Sequence, residues 1–145
     1  MDDSQLYLRA LNIQDGRSRG HWVPIMQHLM LRGHDGAMID LGHWYTENNG
    51  PRDMDGMGEP YTAANLYYRV WRRGGPEAAR AAHSLAMCYF NRGDLLRYRH
   101  WLRRGARLGD YSCRIYEKHF ETRLPHGDAR KIGRHRPEGK RDEWA

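Results

Sequence analysis

The sequence predicts an all-α protein built as a string of antiparallel helix pairs. Two observations indicate this class. A nine-residue apolar pattern with helical spacing occurs twice, and each copy follows a segment rich in aromatic residues and arginine that ends at glycine. Neither copy alternates apolar and polar residues with a period of two, as a half-buried strand would.

The repeated pattern reads Ala, three residues, Leu, a small residue, two residues, Tyr. It occupies Ala37–Tyr45 and, 44 residues later, Ala81–Tyr89. At about 100° per residue, the Ala, Leu and Tyr positions fall within about 40° of one another and form one apolar stripe. The small residue, Gly42 or Ala86, lies about 100° away, where it lets a neighbouring helix approach closely.

Glycines and capping residues predict where the helices end and begin. The aromatic and Arg-rich segments end at Gly33, Gly75 and Gly109, where a glycine cap fits, and arginines in their last turns complement the helix dipole. Asp94 and Asp110 stand at expected N-cap positions. In the last helix, the best apolar stripe is Ser112, Tyr116 and Phe120. The predicted helices lie near residues 3–13, 21–32, 36–47, 60–74, 76–91, 94–107 and 110–122.

Two segments are predicted to lack regular structure. Residues Asn48–Glu59 are rich in Gly, Pro, Asn and Asp, which predicts a loop. From Pro125 onward, Pro, Gly and charged residues dominate. We therefore expect a helical repeat domain over residues 1–124 and a basic C-terminal tail over 125–145. The tail is either flexible or strapped onto the last helix.

The composition favours a cytoplasmic protein, and its basic balance raises the chance of an acidic partner without identifying its class. The net charge is +6 and is carried almost entirely by arginine, which favours acidic proteins, nucleic acid or membrane surfaces as partners. No apolar run approaches the roughly 18–20 residues that span a bilayer, and the acidic start is unlike a signal peptide. Cys88 and Cys113 lie in helical patterns without CxxC spacing, so we expect two buried free thiols.

These residues resemble the Sel-one-like repeat, a relative of the tetratricopeptide repeat. The resemblance covers roughly residues 21–122, and the long first loop, Gly75-Pro76 in place of Gly-Asp, and the divergent final helix depart from the family's pattern. It implies a right-handed superhelical solenoid whose inner surface binds partner proteins, without common catalytic residues. The matching residues are Gly33…Ala37-x3-Leu41-Gly42-x2-Tyr45, Ala81-x3-Leu85-Ala86-x2-Tyr89, and residues 101–110, which look like the family's closing helix and Gly-Asp turn.

The face opposite the apolar stripe supplies the candidate partner-binding residues. Positions two before, two after and five after the stripe Leu lie about 140–200° from it and include Ile, Met and Phe side chains. If these are exposed, they mark a groove for a peptide or a domain; the alternative is that a neighbouring helix or the tail covers them. With one arginine a turn earlier, the candidates are Ile39, His43, Thr46, Arg80, His83, Met87 and Phe90.

The residues do not favour a metal, a cofactor or catalysis. None of the nine histidines forms an HxxxH pair, the spacing that places two ligands on one helix face. Cys88 and His83 are five residues apart and point in different directions on a helix. Asp53 and Asp55 lack the later oxygen ligands of a calcium loop. We therefore expect no catalytic residues, no metal and no cofactor.

The sequence-based hypothesis is a non-catalytic protein–protein interaction module. In its narrowest form this is an immunity or inhibitor protein that binds a cognate toxin or effector with its concave helical face. Sel-one-like repeats are similar to those found in some such proteins. One alternative is a nucleic-acid-associated protein that uses the Arg-rich surface and tail. The other is a general adaptor or chaperone scaffold with several partners.

Overall fold

The computed structural model describes residues 1–49 and 62–123, and this part of the chain is helical, with no β-strand in it. The prediction of an all-α fold is confirmed, and the predicted helix boundaries lie within about three residues of those in the structure. The helices are α1 (Asp3–Gln14), α2 (Trp22–Leu31), α3 (Asp35–Trp44), α4 (Ala63–Arg73), α5 (Ala78–Arg92), α6 (Leu95–Arg107) and α7 (Tyr111–Arg123), with a π-helix, Tyr45–Asn49, continuing α3.

The chain divides into two compact units. Unit 1 is Met1–Glu77 and unit 2 is Ala78–Ala145. In unit 1, α1 packs on α2, α2 on α3, and α3 on α4; in unit 2, α6 packs on both α5 and α7. No helix in the described ranges is long and apolar enough to cross a membrane. The predicted tail, and all of the predicted loop except Asn48 and Asn49, lie outside the described residues.

The same two-residue turn joins three of the helix pairs. Its first residue is a glycine with φ between 81° and 93°, and its second residue precedes the next helix. The glycine N–H donates to the carbonyl three residues back, and the next N–H donates to the carbonyl five residues back. Because side chains other than glycine are strained at such a φ, each turn depends on its glycine. The three turns are Gly33-His34, Gly93-Asp94 and Gly109-Asp110.

The second residue of each turn caps the helix that follows. Asp94 accepts the N–H of Arg97 at 3.1 Å, and Asp110 accepts the N–H of Cys113 at 2.9 Å, so both predicted N-caps are confirmed. His34 does the same for α3 through its Nδ1. The predicted end of α4 is wrong by one residue, because Gly74 takes the left-handed conformation there and Gly75 does not.

The repeated apolar stripe lies in the core, as predicted. In both copies the Ala and the Leu are fully buried, while Tyr45 is 8% exposed and Tyr89 is 6% exposed. Burial of these side chains removes several hundred Å² of apolar surface from water, which is the main favourable contribution to folding. Cys88 and Cys113 are buried free thiols, also as predicted.

Glycines set how closely the helices approach one another. A Cβ atom added to Gly42 would lie 2.5 Å from Cε1 of Tyr67, so the Tyr67 ring of α4 rests directly on the α3 backbone. The predicted close approach at the small residue is therefore confirmed for the first copy. On α6, a Cβ atom at Gly105 would collide with Sγ of Cys113, so α6 and α7 meet in the same way.

The stripe predicted for the last helix is confirmed at Phe120 and wrong at Tyr116. Cys113 is fully buried and Phe120 is 9% exposed, whereas Tyr116 is 42% exposed. Contact with the bare backbone at Gly105 draws Cys113 inward, and this rotates the buried face of α7 away from Tyr116. Tyr116 therefore lies at the edge of the packed face.

We expect Gly42→Ala to lower the free energy of unfolding by about 1–3 kcal/mol, the usual cost of overpacking a core. In an exposed helix the same change is stabilising by up to about 1 kcal/mol, so its sign reports the contact with Tyr67. Urea unfolding followed by far-UV circular dichroism measures it. Gly75→Ala is the control, because its Cβ meets only Asp35 at 3.4 Å. A Gly42→Ala protein as stable as wild type would contradict the close packing.

Candidate partner-binding surface

Ile39 does not lie on an exposed face. It is fully buried, and its neighbour Met38 is 1% exposed. The helix that carries them, α3, packs against α2 and also against α4. Two sides of its first turns are therefore covered, and the face opposite the apolar stripe belongs to the core. The expectation that Ile39 is available to a partner is wrong for this reason.

His43 and Thr46 are exposed at the end of α3, where the π-helix begins. The ring of His43 lies 5.6 Å from the ring of Tyr67. The Thr46 hydroxyl donates a hydrogen bond of 2.6 Å to the carbonyl oxygen of His43. Both side chains thus have contacts within unit 1, and their role in partner binding stays a prediction.

The remaining candidates lie on α5 in unit 2. Arg80 is exposed, and Phe90 is 50% exposed, which is high for so large an apolar side chain. His83 and Met87 are half-buried between them along the helix. The 80, 83, 87, 90 spacing keeps all four on one side of α5. The structure therefore brings these four candidate partner-binding residues together.

A residue of α7 extends the surface. The ring of Tyr116 lies 5.9 Å from the ring of His83, and the side chain is 42% exposed. We call His83, Met87, Phe90 and Tyr116 the unit 2 face. Sequence reasoning missed Tyr116 because it assigned that residue to the buried stripe of α7; the signal that could have found it is Cys113 opposite Gly105.

The inner side of the Phe90 ring packs against a buried aromatic residue, which holds it in place. Its ring lies 5.0 Å from the ring of Tyr98 on α6, and Tyr98 in turn lies 6.1 Å from Phe120 on α7. Tyr98 is 8% exposed and Phe120 is 9% exposed. Such ring pairs add about 0.5–1.5 kcal/mol each beyond the area that they bury. One side of Phe90 therefore belongs to the core of unit 2, and the other side faces solvent.

His83 carries an unsatisfied polar atom. Its Nε2 is covered by protein atoms and has no hydrogen-bond partner in the described structure. A buried donor or acceptor without a partner costs about 1–3 kcal/mol. The imidazole of His83 is thus positioned at a cost on the unit 2 face, beside the exposed ring of Tyr116.

Positive charge is concentrated in unit 2. Residues 78–123 contain ten Arg and Lys against four Asp and Glu, whereas residues 1–77 contain eight against ten. Helix α5, which carries most of the unit 2 face, contains no acidic residue. The field at this surface therefore favours negatively charged groups.

Several arginines of unit 2 have partners within the unit. Arg97 pairs with Asp94 at 2.8 Å and lies over the ring of Tyr89. Arg104 donates to His100 at 2.8 Å and lies over the ring of Trp101. Others are Arg103, which pairs with Glu117 at 3.4 Å, and Arg99, which is buried near the ring of Phe120. Many of the arginines of unit 2 therefore take part in contacts that stabilise the unit itself.

Burial disfavours ionisation of one cysteine thiol and two tyrosine hydroxyls in unit 2. It raises the pKa of the Cys113 thiol strongly, and a hydrogen bond with Asp110 raises it further. The pKa values of Tyr89 and Tyr98 are also raised, in both cases mainly by burial. A thiol must ionise to act as a nucleophile, so Cys113 is suited to packing. Among the described residues, no group of three or more His, Cys, Asp or Glu is placed to hold a metal ion.

Comparisons with protein-family models, with curated proteins and with solved structures found no match to this chain. The resemblance to Sel-one-like repeats therefore rests on the quoted residues alone.

We expect the folded protein to lose stability above about pH 9, in part through Cys113. Below about pH 8 the thiol is protonated in both the folded and the unfolded state, so it does not make the free energy of unfolding depend on pH. Above its ordinary pKa of about 8.5 the thiol of the unfolded chain ionises while the buried thiol does not, and unfolding is favoured.

Urea unfolding at pH 7.5 and pH 10 tests this, with Cys113→Ala as the comparison. Wild type should lose about 1–2 kcal/mol more than the variant between the two pH values. Tyr89 contributes equally to both proteins and cancels. Equal losses would show that Cys113 ionises in the folded state.

Proposed function

We propose that this chain is a non-catalytic protein–protein interaction module that binds its partner through the unit 2 face. The observation that carries the proposal is the half-exposed Phe90, which packs on the buried ring of Tyr98 on one side and follows Met87 along α5. Aromatic residues and methionine are enriched at the centres of protein interfaces. An aromatic ring that is already fixed in place loses little conformational entropy when a partner covers it.

The narrower proposal is an immunity or inhibitor protein that neutralises a toxin or effector in the cytoplasm. It is supported by the resemblance to Sel-one-like repeats, which also underlies the proposed right-handed solenoid and its concave binding surface. The recurrent turns and the buried stripe are compatible with such stacking. Coexpression with a candidate toxin is the direct test, and a toxin that acts unchanged would refute the narrower proposal.

We expect a partner protein to crosslink at position 90. A photoreactive phenylalanine analogue replaces Phe90 in the full-length chain, which is then illuminated in lysate of the source cell. One protein in stoichiometric amounts is the expected product, because a central interface residue is fully covered in the complex. Position 108 is the matched control, since Leu108 is 51% exposed, as Phe90 is, but lies at the α6–α7 turn.

A double variant, Met87→Ala with Phe90→Ala, provides the second measurement. Affinity for the captured protein should fall at least tenfold, since hot-spot residues contribute about 2 kcal/mol or more each. Leu108→Ala should leave affinity within about twofold. Circular dichroism verifies that all variants are folded. Equal binding by wild type and the double variant would rule out the unit 2 face as the binding site.

A further inference from the structure

We infer that the unit 2 face binds an acidic segment of its partner. An apolar side chain of that segment packs on Met87 and Phe90, and a carboxylate accepts a hydrogen bond from His83 Nε2. This inference rests on the proposed function and specifies the chemistry of the partner. Three observations carry it: the charge of unit 2, the unpartnered imidazole atom and the composition of the exposed surface.

The charge of unit 2 selects an acidic partner. Residues 78–123 carry an excess of six basic residues over acidic ones, and helix α5 has no carboxylate of its own. Arg80 is exposed one turn before His83, and His119 is exposed three residues after Tyr116. The guanidinium of Arg80 attracts an acidic partner segment and repels a basic one.

The unpartnered atom of His83 selects a hydrogen-bonding group on that segment. Among the residues that the structure describes, none forms a hydrogen bond with the buried Nε2, so a partner that supplies this hydrogen bond gains binding free energy. His83 is half-buried, and the ring of Tyr116 beside it, at 5.9 Å, belongs to a side chain that is 42% exposed. A protonated Nε2 is a donor, and a carboxylate is the strongest acceptor that a protein segment offers.

The exposed surface favours a polypeptide over nucleic acid. Binding of nucleic acid relies on cations that are free to reach successive phosphates. In unit 2, Arg97, Arg103 and Arg104 instead contact carboxylate or aromatic groups of the same unit, and Arg99 is buried. Between the remaining charges lie a thioether and a phenyl ring, which complement an aliphatic or aromatic side chain.

Selection from a library of random dodecapeptides tests the inference with the full-length chain as bait. The Met87→Ala, Phe90→Ala double variant serves for counter-selection. We expect enriched peptides that combine at least one large apolar residue with two or more Asp or Glu. Enrichment of basic or neutral peptides, or no enrichment over the double variant, would overturn the inference.

The hydrogen bond is tested with an enriched peptide, labelled with fluorescein, by anisotropy. His83→Phe keeps an aromatic ring beside Tyr116 but removes the donor, and it should weaken binding about tenfold, as expected for a lost charge-assisted hydrogen bond. His83→Gln retains a donor and should weaken binding less. Replacing Asp and Glu of the peptide by Asn and Gln should weaken it by at least as much as His83→Phe. Equal affinity of wild type and His83→Phe would remove His83 from the proposal.

A labelled single-stranded DNA of twenty thymidines provides the nucleic-acid arm. Its affinity should be lower than that of the peptide at about 150 mM salt, and an excess of it should not displace the peptide. DNA that binds more tightly and displaces the peptide would overturn the inference in favour of a nucleic-acid site.

The two proposals fail in different ways. A protein that crosslinks at position 90 through a basic or uncharged segment would refute the acidic partner and leave the interaction module standing. Crosslinking at position 108 alone, together with no enriched peptide, would refute both.

Discussion

The left-handed glycine turn is the constraint on which unit 2 depends. At Gly93-Asp94 and again at Gly109-Asp110, a single residue at positive φ reverses the chain, and the next residue caps the following helix. Only two residues separate α5 from α6, and three separate α6 from α7. The helices therefore have little freedom to slide, and side chains far apart in sequence, such as His83 and Tyr116, come together. A larger residue at either glycine strains the turn and disturbs the surface on α5 and α7 together.

Glycines within the helices allow the neighbouring helices to pack closely together. At Gly42 and Gly105, the side chains of Tyr67 and Cys113 rest against bare helix backbone. The burial of Cys113 in this contact raises the pKa of its thiol. The same contact turns α7 so that Tyr116 faces outward. The close contact at Gly105 thus determines that Tyr116 is exposed.

Features encoded by neighbouring residues could be predicted from the sequence. The stripe of Ala37, Leu41 and Tyr45 and its second copy, the caps at Asp94 and Asp110, and the two buried thiols are local signals that the structure bears out. The burial of Ile39 could not be predicted. Periodicity shows which residues share a face of a helix, but not how many of its faces are covered by neighbouring helices. Helix α3 has two neighbours in unit 1, and its second face is buried too. For the same reason, the sequence left open whether Phe90 is exposed or covered, and the structure shows it to be 50% exposed.

The short turns also have a consequence for the kinetics of association. Helices α5, α6 and α7 follow one another without a long connection, and rings from all three interlock at Phe90, Tyr98 and Phe120. Under the proposed function, a surface assembled in this way is already formed in the free protein, so binding requires no rare conformation and costs little ordering entropy. Differences in affinity between partners would appear mainly in how slowly each one departs.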